Sequence, residues 1–148
     1  MTNIQSAWWI IYCKSGKDIV FLIIKRQSLS KKIERVAPKG KIKVWELPQE
    51  AALREVVEET GLQHNKLYIS KELGTVGFEY GELKTYKEVT YFLIEYLGHM
   101  DDVQLQDQEW FLGIHKRAKI SDVLNLITFQ NLRLLYKQAY DNITHQPN

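Results

Sequence analysis

Residues 40–62 read GKIKVWELPQEAALREVVEETGL, and both the fold and the chemistry of the chain depend on this stretch. Pro48 suits the first turn of a helix, because the N–H that proline lacks has no helical partner there. Gly61 suits the position just after the last turn, where glycine adopts the left-handed conformation without strain. The segment therefore predicts a helix over Pro48–Thr60.

Three glutamates gather near the C-terminal end of this predicted helix. At about 100° per residue, Glu55, Glu58 and Glu59 share one face. Like charges at this spacing destabilise an isolated helix by roughly 0.2–0.5 kcal/mol per pair, and the helix dipole disfavours acids at this end. A solvated acidic face is the ordinary interpretation, and a bound cation is the alternative. The apolar residues expected to pack on a sheet from the opposite side are Leu53, Val56 and Val57.

Strand-forming runs lie on both sides of the helix. Ala7–Cys13 and Ile19–Ile24 flank a turn signal at residues 15–18 and predict a hairpin. Further strands are expected at Glu34–Ala37, Leu67–Ile69, Thr75–Phe78 and Glu88–Tyr96, with a short apolar segment at Trp110–Leu112. Two more helices are expected at Ile120–Ile127 and Asn131–Tyr140. This order favours an α/β protein with helices packed on the faces of a sheet.

The tryptophans test this prediction. Trp8 and Trp9 are neighbours in a strand and point to opposite faces, so at least one is expected in the core. Trp45 lies in the loop before the helix, where exposure is expected and contact with a substrate is the alternative.

Composition limits the classes of function. The 148 residues fit one domain over 1–148, and a net charge of +2 argues against a protein that binds a nucleic-acid polymer. The single cysteine excludes an internal disulfide. We expect a cytoplasmic protein without a membrane segment, because the longest apolar run near the start is too short to span a bilayer.

Residues 40–62 also match a complete family motif. The Nudix box, G-x5-E-x7-R-E-U-x-E-E-x-G-U with U a bulky aliphatic residue, is satisfied at all nine specified positions. The chain therefore resembles the Nudix (MutT-like) hydrolases. The resemblance implies the Nudix fold, an α/β/α sandwich with a mixed β-sheet between helices. It also implies metal-dependent hydrolysis of a nucleoside diphosphate linked to another group, by attack of water on phosphorus.

The resemblance gives each residue of the box a role. Carboxylate oxygens without histidine or cysteine select hard cations, so Mg²⁺ or Mn²⁺ is expected. Glu55, Glu58 and Glu59 are then the metal ligands and catalytic residues, and the backbone carbonyl of Gly40 is a further ligand. Three residues of the box are expected to have structural roles. Glu46 and Arg54 form an ion pair, and Gly61 ends the helix.

Flanking residues favour a dinucleoside polyphosphate as the substrate. Ala37-Pro38-Lys39-Gly40 resembles the Pro-Lys-Gly entry of diadenosine polyphosphate hydrolases, although Lys41 stands where those enzymes usually carry histidine. Tyr80 and Lys87 resemble their base-stacking tyrosine and their phosphate-facing lysine. The favoured reaction is hydrolysis of diadenosine tetraphosphate to ATP and AMP. The lysines expected to form a positive pocket are Lys39, Lys41, Lys84 and Lys87.

Several alternatives stay open at this point. The chain is alternatively a pyrophosphohydrolase of nucleoside triphosphates or of other nucleoside diphosphate derivatives, or a non-catalytic Nudix module that binds nucleotides. A monomer is favoured and a dimer is the alternative. One further acid is expected to assist catalysis from a later loop, and the candidates are Asp101, Asp102, Asp107 and Glu109.

Overall fold

The computed structural model describes residues 3–28, 30–37, 39–80, 85–105 and 111–145. These residues form strands and α-helices in the order β1 (Asn3–Ser15), β2 (Asp18–Gln27), β3 (Ile33–Val36), β4 (Lys39–Lys41), α1 (Pro48–Thr60), β5 (Leu67–Tyr80), β6 (Thr85–Tyr96), β7 (Phe111–Ala118), α2 (Ile120–Leu126) and α3 (Gln130–Thr144). Short 3-10 turns occur at His64–Lys66 and Met100–Asp102.

The strands of the described chain belong to one mixed sheet. Its order is β3-β2-β1-β6-β5, with β4 paired to β1 and β7 paired to β2. β1 runs parallel to β6, and the other pairs are antiparallel. The predicted α/β architecture is confirmed.

The β1–β2 hairpin organises the middle of the sheet. Its turn contains Gly16 at φ 62°, and Ser15 is in register with Asp18. Along β1, successive residues point to opposite faces. Trp8 therefore packs with residues of α2 and α3, and Trp9 packs with Ala52 and Val56 of α1. Both tryptophans are buried, so each face of the sheet has its own core.

Two predictions about strands are wrong in their details. Leu67–Ile69 and Thr75–Phe78, expected as separate strands, belong to the continuous β5. Its register with β6 shifts between Ile69 and Lys71 and again between Glu72 and Gly74, so the charged residues between the apolar runs are accommodated in irregularities of one strand. The strand that follows Trp110 is also longer than its apolar start, since β7 continues to Ala118.

Candidate active site

α1 has a defined start and a defined end. The backbone N–H of Leu47 donates to Glu50 Oε1 at 3.1 Å, which satisfies a donor at the start of the helix. Gly61 adopts φ 68°, the left-handed region, and donates its N–H to the carbonyl of Val57 at 3.0 Å. The three box glutamates therefore lie on the last turns of a regular helix.

The glutamates differ strongly in their exposure. Glu59 is only 8% exposed, the side chain of Glu55 is 17% exposed, and that of Glu58 is 58% exposed. On a wheel of about 100° per residue, Glu59 lies about 20° from Ala52, which faces the sheet. Glu58 lies about 120° from Ala52, in the same direction around the helix as Glu59, and faces outward. The acidic face thus extends from the core to solvent.

The expected apolar side of α1 needs a correction. Ala52 and Val56 are fully buried, whereas Leu53 and Val57, predicted to pack with Val56, are only half-buried. The two small alanines at 51 and 52 let the helix backbone approach the sheet. The buried side of α1 therefore includes Glu59.

Arg54 links the loop before α1 to two of the glutamates. Its Nε and Nη2 donate to the carboxylate of Glu46 at 2.6 and 2.9 Å. Its Nη1 donates to Glu55 Oε1 at 2.8 Å and to Glu58 Oε2 at 3.2 Å. The hydrogen bonds from Arg54 lower the pKa of Glu46 to about 2, and those to Glu46 and Glu55 raise the pKa of Arg54. One guanidinium therefore reduces the repulsion among these carboxylates.

The donor set suits a hard cation. Glu55, Glu58 and Glu59 supply only carboxylate oxygens, the ligands that Mg²⁺ and Mn²⁺ prefer. Among the described residues, no group of three histidine, cysteine, aspartate or glutamate side chains has an arrangement that could hold a metal ion. Arg54 contacts the carboxylates of Glu55 and Glu58, so a cation would have to compete with Arg54 for these two residues.

Sheet register locates the flanking residues, whose side chains lie outside the described part. Lys39 is in register with Trp8 and Lys41 with Ser6, both on β1. On the other side of β1, Lys87 of β6 is in register with Ile4. Because residues alternate along a strand, positions 39, 41 and 87 belong to the sheet face of Trp8, opposite to the face that α1 covers.

Tyr80 extends this set toward the sheet edge. It is in register with Thr85 at the start of β6, and its neighbour Phe78 is in register with Lys87. By the same alternation, position 80 belongs to the face of Lys87. Lys84, the remaining residue of the expected pocket, lies outside the described residues.

Two of the four candidate loop acids are engaged elsewhere. Asp101 forms an ion pair with Arg117. Asp102 accepts a hydrogen bond of 2.6 Å from the hydroxyl of Tyr96, which lowers the pKa of Asp102. Burial and this hydrogen bond raise the pKa of Tyr96 to about 12. Asp107 and Glu109 lie outside the described residues.

The chain that leads to these last two acids is attached to α1. The backbone N–H of Gln104 donates to the carbonyl of Thr60 at 2.8 Å. This contact holds the loop after β6 against the C-terminal end of the glutamate helix.

Sequence reasoning missed one feature of this region and anticipated another. The contacts of Arg54 with Glu55 and Glu58 were not predicted, although Arg54 and Glu58 have the i, i+4 spacing of a helical ion pair. The exposure expected for Trp45 is confirmed. It is 80% exposed, and Lys43 Nζ lies 5.7 Å from the centre of its ring.

Comparisons with known structures agree with this geometry. A C. elegans Ap4A hydrolase binary complex aligns with 97% of this chain and 99% of its own, with a TM-score of 0.77 and 22% identity. The NUDIX domain of Shewanella oneidensis NrtR, complexed with ADP ribose, aligns over 97% and 90% with a TM-score of 0.74 and 15% identity. The MutT protein from Methanosarcina mazei Go1 aligns over 98% and 97%, with a TM-score of 0.68 and 23% identity. These similarities concern the fold.

The sequence itself assigns the family. No curated protein matches the chain. No described helix has the length and hydropathy needed to cross a membrane. The family model described as NUDIX domain matches residues 3–144, which is nearly the whole chain. The chain therefore belongs to the NUDIX family and is a Nudix pyrophosphohydrolase.

Proposed function

We propose that the chain hydrolyses dinucleoside polyphosphates, diadenosine tetraphosphate above all, to ATP and AMP in the presence of Mg²⁺ or Mn²⁺. The observation that carries the proposal is the layout of lysine positions around β1. Lys39 and Lys41 are on β4, which pairs with one edge of β1, and Lys87 is on β6, which pairs with the other.

The spacing of these positions favours a long anionic bridge. Across the sheet, β4 and β6 are two strand spacings apart, which is about 10 Å. Along the strands, the position of Lys87 is offset from that of Lys41 by two residues, which is about 7 Å. Lysines at positions separated by such a span would meet more phosphate charge on a four-phosphate bridge than on a two-phosphate linkage. Tyr80 lies on β5, the next strand beyond β6, and an aromatic ring at this position would suit stacking on a base of the substrate.

The box residues supply the chemistry in this proposal. Glu55, Glu58 and Glu59 hold the cation, with the carbonyl of Gly40 as a further ligand. When bound, the cation polarises the phosphate and lowers the pKa of water. Arg54 keeps the loop on α1 through Glu46 and orients Glu55 through its 2.8 Å hydrogen bond. Because Glu59 is largely screened from solvent, its carboxylate lies in surroundings of low polarity, where a charge interaction is stronger.

The assisting loop acid is proposed to be Asp107 or Glu109. Asp101 and Asp102 already contact Arg117 and Tyr96, and Gln104 is attached to the end of α1. We expect Asp107→Asn or Glu109→Gln to lower kcat by at least about tenfold. Asp101→Asn is the matched control and should leave kcat within about twofold. If Asp101→Asn is the slow variant, this assignment is wrong.

Product analysis tests the proposed substrate. Diadenosine tetraphosphate, dGTP, its 8-oxo form, ADP-ribose and a nucleotide sugar are incubated with the protein and Mg²⁺ at equal concentrations, and products are separated by anion exchange. The expected result is fastest conversion of diadenosine tetraphosphate, with ATP and AMP in equal amounts. Preference for another compound would reject the substrate but keep the hydrolase. Metal and nucleotide binding without any turnover would favour the non-catalytic alternative.

A further inference from the structure

The loop before α1 projects an apolar tip from the glutamate side of the molecule. Val44 is fully exposed, Trp45 is 80% exposed and Leu47 is 56% exposed. Trp8 and Trp9, by contrast, are both buried. Large apolar side chains clustered in solvent are uncommon on a protein without a ligand for them.

The tip is held in place at both ends. The N–H of Ile42 donates to the carbonyl of Gln5 on β1 at 3.2 Å. Glu46 closes a turn, since its N–H donates to the carbonyl of Lys43 at 3.0 Å and its Oε1 accepts from the N–H of Lys43 at 3.0 Å. The carboxylate of Glu46 is bound in turn by Arg54. Trp45 therefore projects from a turn that is anchored to the sheet and to α1.

This anchoring also links the tip to the acidic face of α1. Arg54, which holds Glu46, contacts Glu55 and Glu58 as well. The turn that carries Trp45 is thus connected through one guanidinium to the acidic face of α1. A ligand whose phosphates reach that face would have its remaining parts close to the tip.

The tip combines the two chemical features that a nucleotide needs. The indole ring offers a flat apolar surface, and Lys43 places a positive charge 5.7 Å from the ring centre. Aromatic rings stack on nucleobases of any sequence, and a neighbouring cation attracts phosphate. We propose that Trp45 stacks on a nucleobase of the substrate while Lys43 contacts its phosphates, which makes the tip a nucleoside-binding element. This inference deepens the proposed function and rests on it for the nucleotide nature of the substrate.

Binding of ADP and of pyrophosphate tests the proposal without requiring turnover. Both are titrated by calorimetry, with Mg²⁺, into the wild type and into the variants Trp45→Ala, Trp45→Phe and Leu134→Ala. We expect Trp45→Ala to lower the affinity for ADP by about tenfold and the affinity for pyrophosphate by less than about twofold, because only ADP carries a base. Trp45→Phe should recover most of the affinity for ADP. Leu134→Ala, a truncation of an exposed apolar side chain on α3 and outside the tip, should leave both affinities unchanged.

Each other outcome rejects the nucleobase contact. If Trp45→Ala lowers the affinities for ADP and pyrophosphate equally, Trp45 supports the loop. If neither affinity changes, the tip faces another partner, such as a protein. Failure of the wild type to bind ADP would reject it as well. These results do not depend on the preferred substrate, because ADP binding can be intact while diadenosine tetraphosphate is not hydrolysed.

Discussion

Glu59 combines burial with a position on the acidic face of α1. It is 8% exposed, whereas the side chain of Glu58 is 58% exposed. Replacement by glutamine keeps the volume and removes the charge. We predict that Glu59→Gln lowers kcat by at least about a hundredfold, since a metal ligand contributes several kcal/mol of transition-state stabilisation. The measurement is kcat for diadenosine tetraphosphate with Mg²⁺, with circular dichroism to check the fold.

A matched change on the same helix is the control for this variant. Glu50 lies in the first turn, where its side chain accepts from the N–H of Leu47, and a glutamine oxygen can accept the same bond. Glu50→Gln should leave kcat within about twofold. Activity of Glu59→Gln within about threefold of the wild type would contradict the role of Glu59.

The ion pair between Glu46 and Arg54 makes the stability of the protein depend on pH. The folded state lowers the pKa of Glu46 from 4.5 to about 2, so the pair stabilises the folded state fully above pH 4.5 and loses this effect as the pH falls toward 2. We predict that Glu46→Gln is less stable than the wild type at pH 7 and that the difference shrinks at pH 3. Urea unfolding of the wild type and the variant at both pH values measures this difference in the free energy of unfolding.

The control removes a carboxylate from a different ion pair. Glu34 binds Arg26 at 3.1 Å, and both side chains are about as exposed as those of Glu46 and Arg54. Glu34→Gln should retain the wild-type kcat, whereas Glu46→Gln should lower it because the box loop loses its anchor. A stability difference that is the same at pH 7 and pH 3 would show that the charge of Glu46 is not its source.

At the scale of single residues, the sequence predicts the acidic face but not its environment. The spacing of Glu55, Glu58 and Glu59 places them on one side of a helix. The spacing cannot show which of these glutamates lies nearest the sheet. The packing of Ala52 against the sheet decides this, and packing depends on contacts between residues far apart in the chain.

At the scale of the element, Gly61 ends α1 by its backbone conformation. Its φ of 68° is unfavourable for residues with a Cβ, yet a Cβ there would meet nothing closer than Gln104 O at 3.6 Å. We predict that Gly61→Ala destabilises the protein by about 1–2 kcal/mol through backbone strain alone. The control is Gly113→Ala on β7, where a Cβ has open space and φ is not in the left-handed region. Urea unfolding of both variants measures the effect, and equal stabilities would contradict it.

The elements that sequence predicts well are those with local signals. The β1–β2 hairpin has two continuous apolar runs around a turn, and α1 has Pro48 and Gly61 at its ends. β7 lacks such a signal, because it reads FLGIHKRA and of its described side chains only Ala118 is buried. It is held by backbone pairing with β2, about ninety residues earlier, which no local pattern reveals.

At the scale of the whole molecule, the sheet separates α1 from the lysine positions of the proposed phosphate site. α1 packs on the face of Trp9, whereas positions 39, 41 and 87 belong to the face of Trp8. The two meet at β4, which carries Gly40 between two lysines and also packs against α1. A substrate bound as proposed passes this edge, with its reacting phosphate toward the glutamates and the rest of the bridge along the lysine positions.

This layout predicts that lysines from different strands act on the same substrate. The double variant Lys39→Ala/Lys87→Ala should lower kcat/KM for diadenosine tetraphosphate by at least about tenfold, because charge-assisted contacts to the bridge are lost from both sides of β1. ADP-ribose, with two phosphates, should lose less affinity when measured as an inhibitor of the same reaction. Lys14→Ala, an exposed lysine near the far end of β1, is the control and should change neither value. An unchanged kcat/KM in the double variant would mean that the phosphate bridge does not run across β1, and the preference for a four-phosphate substrate would lose its physical basis.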